Sequence, residues 1–119
     1  MVKRKSSYPV EIKENMRGGE GIVTIESLLT PEELYNKGRL YAKITVAPGD
    51  SIGYHVHEGE MEAFFIVTGE AEMSDNGETV VLSAGDTILT LSGEGHSVKS
   101  IGETQLEMIA LILYKTQNP

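Results

Sequence analysis

Short runs of alternating polarity, each closed by a turn signal, dominate this chain and restrict it to β architectures. Arg39 to Val46 shows the pattern most cleanly: Leu40, Ala42, Ile44 and Val46 share one face, and Arg39, Tyr41, Lys43 and Thr45 the other. That is the period of a half-buried strand. Ala47-Pro48-Gly49-Asp50 then turns the chain. Ser51 to His57 and Met61 to Thr68 follow as partners around Glu58-Gly59-Glu60, while Glu70 to Ser74 and Thr79 to Leu82 flank Asp75-Asn76-Gly77, a strong hairpin signal. Ser83-Ala84-Gly85-Asp86 turns into a strand over Thr87 to Leu91, and Ser92-Gly93-Glu94-Gly95 leads into His96 to Ser100. With 119 residues, thirteen glycines and four prolines, the expectation is one all-β domain around one hydrophobic core.

Residues 1–38 read as an N-terminal arm, strand and short helical turn, and residues 39–119 as the main β unit. An edge strand is expected around Tyr8 to Ile12, a glycine-rich loop at Arg17 to Gly21, and a strand at Ile22 to Leu29. Thr30-Pro31-Glu32-Glu33 combines an N-cap, a proline at the first helical position and a glutamate at the third, the signature of a helical turn ending before Gly38. The last strand, Gln105 to Tyr114, is apolar on both faces. One face can line the core; the other needs a cover, for which a homodimer is expected.

The formal net charge of -8 disfavours a nucleic-acid surface or an anionic membrane face, since both require a basic patch. No lysine or arginine occurs between Ile44 and Val98, whereas acids recur throughout that stretch. Most of these acids read as a solvated surface. With no cysteine, disulfides and thiolate chemistry are excluded. Basic residues at the start have no apolar stretch behind them, so a cytoplasmic location is the expectation.

All three histidines fall where chemistry is plausible. His55 and His57 leave the same face of one strand, Glu62 opens the next strand, and His96 begins another. Three imidazoles and a carboxylate make a transition-metal ligand set. Glu58 and Glu60 compete with Glu62 as the acidic ligand; Phe64 and Ile66 share the face of Glu62 if that strand is regular.

These residues resemble the cupin family. Its first motif reads Gly, five residues, His-x-His, three or four residues, Glu, six residues, Gly, and Gly49, His55, His57, Glu62 and Gly69 fill every fixed position. Its second motif is matched by Gly85, Gly93 and His96, with Leu91 in place of the usual proline and Ser100 in place of the usual asparagine. The resemblance spans about residues 39–114. It implies a double-stranded β-helix, the jelly-roll barrel, in which the four matched side chains bind one divalent ion, commonly iron, manganese, nickel, zinc or copper.

Four protein ligands leave positions open on an octahedral ion, where a small oxygen-rich organic ligand or substrate can chelate. A metal-dependent oxygenase, isomerase or decarboxylase is therefore one expectation, and a non-catalytic binding or sensing module the other. Glu60 and Tyr54 are the candidates for a general base. Phe64, Ile66 and Met108 are expected to line the pocket. Arg39, Lys43 and Lys99 alternate away from it, which counts against phosphorylated sugars.

Overall fold

The computed structural model describes residues 1–115. Ten strands form two antiparallel sheets packed face to face. β1 (Val10–Glu14), β2 (Ile22–Leu29), β3 (Gly38–Val46), β5 (Glu60–Thr68), β8 (Thr87–Thr90) and β10 (Leu106–Tyr114) make a six-stranded sheet ordered β1-β2-β3-β10-β5-β8. β4 (Ser51–Val56), β6 (Glu70–Asp75), β7 (Glu78–Ser83) and β9 (Gly95–Ser100) make a four-stranded sheet ordered β4-β9-β6-β7. Consecutive strands change sheets repeatedly, which is the jelly-roll solution to closing two antiparallel layers on one core.

Alternation decides which residues meet between the layers. β2 and β3 bury Val23, Ile25, Ala42, Ile44 and Val46; β10 buries Leu106, Met108, Ala110 and Ile112; β5 buries Phe64 and Ile66. The smaller sheet answers with Ile52, Ala71, Met73 and Val98. Asp75-Asn76-Gly77-Glu78 closes the β6–β7 hairpin with φ of 49° at Asn76 and 97° at Gly77, the positive pair that a type I′ turn demands.

The turn after β2 forms its reciprocal cap: the Thr30 N–H donates to Glu33 Oε1 at 2.8 Å, and the Glu33 N–H donates to Thr30 Oγ1 at 3.2 Å. One helical turn follows, closed by the Leu34 N–H on the Thr30 carbonyl. It stops there because Tyr35 and Asn36 adopt left-handed φ of 56° and 54°. The strands of the arm belong to the larger sheet, with Val23 paired to Val46 and Ile25 to Ile44. None of the described helices is long and apolar enough to cross a membrane.

The outer face of the larger sheet keeps the apolar character expected of β10. Ile109 lies between Lys43 and Phe65, and Leu111 between Tyr41 and Ala63. Phe65, Val67 and Leu89 are each more than two-fifths exposed there.

Candidate metal centre

Strand register brings the four candidate ligands together. His55 of β4 pairs directly with His96 of β9, while Glu62 of β5 lies between Ile112 of β10 and Thr90 of β8 on the inner face of the opposite sheet. Glu62, Phe64 and Ile66 do share that face, all buried. His57 follows the end of β4 and turns inward, 3% exposed. The Nε2 atoms of His57 and His55 each lie 3.1 Å from His96 Nε2, and Glu62 Oε1 lies 3.0 Å from both His57 Nε2 and His96 Nε2. All four donor atoms fall within 4.8 Å of one another. Neighbouring ligands of an octahedral ion with bonds of about 2.1 Å are about 3.0 Å apart, whereas a tetrahedral ion of that size spaces them about 3.4 Å apart. The four short separations, 3.0–3.1 Å, are close enough for neighbouring donors to share one ion.

The protons point the same way. His55 Nδ1 donates to the Gly53 carbonyl at 2.8 Å, and His57 Nδ1 to Glu60 Oε1 at 2.9 Å. Both partners are pure acceptors, so in a neutral ring the proton sits on Nδ1 and Nε2 presents a lone pair to the centre. His96 Nδ1 shares a hydrogen bond of 2.9 Å with the Thr90 hydroxyl, and Phe64 stacks on the His96 ring at a centroid distance of 5.2 Å. Imidazole lone pairs 3.1 Å apart repel unless a proton or a cation lies between them. The donor set therefore fits a divalent transition ion.

Electrostatics follow the same contacts. The carboxylate of Glu62, then that of Glu60, holds the His57 pKa above its ordinary value despite burial. Burial pushes that of His55 down, with the charges of the other two histidines and of Arg17 adding to the effect. Burial works to raise the Glu62 carboxyl, but its bonds from His57 and His96 outweigh it and leave the pKa below the usual carboxylate range.

Two β-bulges determine what else reaches the centre. In β4 the register shifts between Ile52 and His55, so the inward set changes from Ile52 to His55 and His57. Tyr54 is left outside, 53% exposed and packed over Gly95. In β3 the register shifts beside Arg39, where Leu40 pairs with Ile112 but Gly38 pairs with Leu113. The extra residue re-aims its side chain. Contrary to simple alternation, Arg39 borders the cavity in front of the histidines. Its Nε and Nη2 donate to Glu60 at 2.8 and 2.7 Å. Lys43, in contrast, pairs with Glu107 on the outer face, and Lys99 lies on the other sheet, away from that cavity.

Glu60 is thus engaged on both oxygens. Arg39 first, and His57 with it, holds its pKa down at about 2, which makes it a poor proton acceptor near neutrality. The cavity measures about 500 Å³ and is lined by His55, His57, Glu62, Phe64, Ile25, Leu40, Ile44, Ile52 and Ile112, with Arg17 and Arg39 at its charged rim. Ile66 and Met108 belong to the core behind it. Sequence reasoning missed Thr90 and Arg17. Thr90 was legible by parity, since it faces inward two residues after Ile88; Arg17 carried no periodic signal.

A jelly-roll with three imidazoles and a carboxylate converging on its inner wall defines a class of metal-site β-barrels. Within that class the chain belongs to the cupin family, whose cupin-domain model matches residues 42–112. It is 46% identical over 113 residues to the oxalate-binding protein of Thermotoga maritima, covering 95% of this chain and 93% of that one. A crystal structure from Thermotoga maritima, described as a predicted oxalate decarboxylase, superposes with a TM-score of 0.92 at 46% identity, over 96% of this chain and 99% of that one. The polyketide cyclase RemF of Streptomyces resistomycificus shares the fold, with a TM-score of 0.75 at 18% identity, over 100% of this chain and 83% of that one.

Proposed function

We propose that this protein binds one divalent transition-metal ion per subunit through His55, His57, Glu62 and His96, and with it a small oxygen-rich anion, oxalate being the first to test. The observation that carries this is the convergence of three Nε2 atoms and one carboxylate oxygen, with neighbouring donors 3.0–3.1 Å apart, on the wall of an open cavity. A divalent ion supplies Lewis acidity to two neighbouring ligand oxygens. The rest falls to the chain. Gly53, Glu60 and Thr90 hold the three imidazoles by their Nδ1 atoms. Phe64 and Ile112 keep one wall apolar, and the guanidinium at the rim favours anions. Oxalate enters from the name of the relative that is 46% identical.

Binding is better supported than catalysis. Glu60 is committed to Arg39 and His57, and Tyr54 lies outside the cavity, so neither offers a free base at the centre. The test is metal analysis of protein purified without chelator or nickel resin, followed by calorimetric titration of manganese-loaded protein with oxalate. About one ion per subunit and saturable oxalate binding are expected, both lost in a His55→Ala/His57→Ala variant. Protein that refuses manganese, iron, nickel, zinc and copper alike overturns the reading. Release of carbon dioxide or formate from oxalate would replace the binding function with a catalytic one. The apolar outer face of the larger sheet supports a homodimer as the working assembly.

A further inference from the structure

Three cations border the cavity, and they are not equivalent. Lys13 pairs with Glu11 at 3.1 Å, and Arg39 is tied to Glu60. Arg17 has no carboxylate partner among the described residues. Its position is built rather than incidental. Arg17 adopts a left-handed backbone, φ 54° and ψ 29°, inside a short turn closed by the Gly18 N–H on the Asn15 carbonyl at 3.0 Å and the Gly19 N–H on the Met16 carbonyl at 2.9 Å. That turn lies directly on β4. A Cβ at Gly53 would overlap the Arg17 carbonyl, and one at Gly19 would overlap the Ser51 carbonyl. Only glycine at both positions lets the arm approach the strand that carries His55. Met16 packs against the core and anchors the turn from below.

A non-glycine residue in this conformation is strained and persists only where the surroundings impose it. Glu14 borders the same cavity and, like Glu62, repels an anion, so an incoming dianion needs a cation to offset them. Arg17 is the one rim cation not already neutralised.

We infer that Arg17 is the specificity-determining residue of this cavity: it engages the carboxylate oxygens turned away from the cluster, so the site selects short dicarboxylates over monocarboxylates. This rests on the ligand reading proposed above. A guanidinium meets two carboxylate oxygens at once, a geometry that a monocarboxylate held at the cluster cannot offer to the rim.

The test is calorimetric titration of manganese-loaded wild type, Arg17→Gln, Arg17→Lys and Lys99→Gln with oxalate, malonate and acetate. Lys99→Gln makes the same charge change on the far sheet. Arg17→Gln is expected to weaken oxalate or malonate binding about 10- to 100-fold and acetate binding less than about 3-fold, consistent with the loss of one charged hydrogen-bonding partner. Arg17→Lys should fall between, and Lys99→Gln should match wild type. Unchanged dicarboxylate affinity in Arg17→Gln overturns the inference alone, as does an equal loss for acetate. Wild type that takes up manganese but binds no carboxylate overturns the ligand reading and the inference with it. Melting curves of the metal-free variants, expected to coincide with wild type, separate lost recognition from lost folding.

Discussion

Replacing Arg39 with glutamine tests whether the centre depends on groups that never touch it. Arg39 donates to both oxygens of Glu60 at 2.7 and 2.8 Å, and Glu60 in turn accepts from His57 Nδ1 at 2.9 Å. Without the guanidinium, Glu60 loses the main cause of its lowered pKa and the two bonds that aim it at His57. Partners of this kind are typically worth about 10- to 100-fold in metal affinity. Glu60 remains in Arg39→Gln, so the expected loss is about tenfold, or about 1.4 kcal/mol. Glu60→Ala, which frees the ring altogether, should approach about 100-fold. Fold stability should change little, since the Arg39 side chain is 40% exposed and partly exposed pairs contribute about 0–1 kcal/mol. The assay is competition against a chromophoric chelator at fixed pH, with a melting curve of the metal-free protein beside it. Affinity of Arg39→Gln within about twofold of wild type would refute the argument, because the measured value of such outer partners does not reach that low.

Ser100 is fully buried and its hydroxyl has no hydrogen-bond partner; Ser100→Ala should therefore be neutral or raise stability by up to about 1 kcal/mol in denaturant titration, and a loss above that would reveal a partner. The His57 pKa lies above the ordinary 6.5 because of Glu62. Its contribution to metal-free stability is complete below 6.5 and fades as pH rises through the folded value, whereas ligation needs the ring deprotonated. The rise in melting temperature on adding manganese should accordingly grow from pH 6 to pH 8, and a constant rise would contradict this. Phe65→Lys puts a charge into the apolar outer face, where Phe65 is 46% exposed. Light scattering should show a dimer in wild type and monomer in the variant; a monomeric wild type removes the assembly proposal.

Alternation was enough to read β3, β5 and β10 and to place Glu62 beside Phe64 and Ile66, because side-chain direction in a regular strand follows from count alone. It failed at Arg39 for a reason that composition does not carry. A bulge adds a residue to one strand without changing its composition, and the register shifts at Ile52/His55 and beside Arg39 are set by pairing with β9 and β10. Distant partners decide them. The expected edge strand at Tyr8 to Ile12 appears slightly later, at Val10–Glu14, with every residue exposed and so little burial to fix its boundaries. Arg17 escaped notice because its placement depends on two glycines, Gly19 and Gly53, meeting across a gap in sequence.

The irregularity in β4 gives this barrel an unusual evolutionary lever. Without the shift, at unchanged length, the alternation begun at Ile52 would carry on to Tyr54 and turn its phenol inward while His55 faced water. A cation chelator and a hydroxyl-lined binding cup are thus separated in this strand by one step of backbone register rather than by any exchange of side chains.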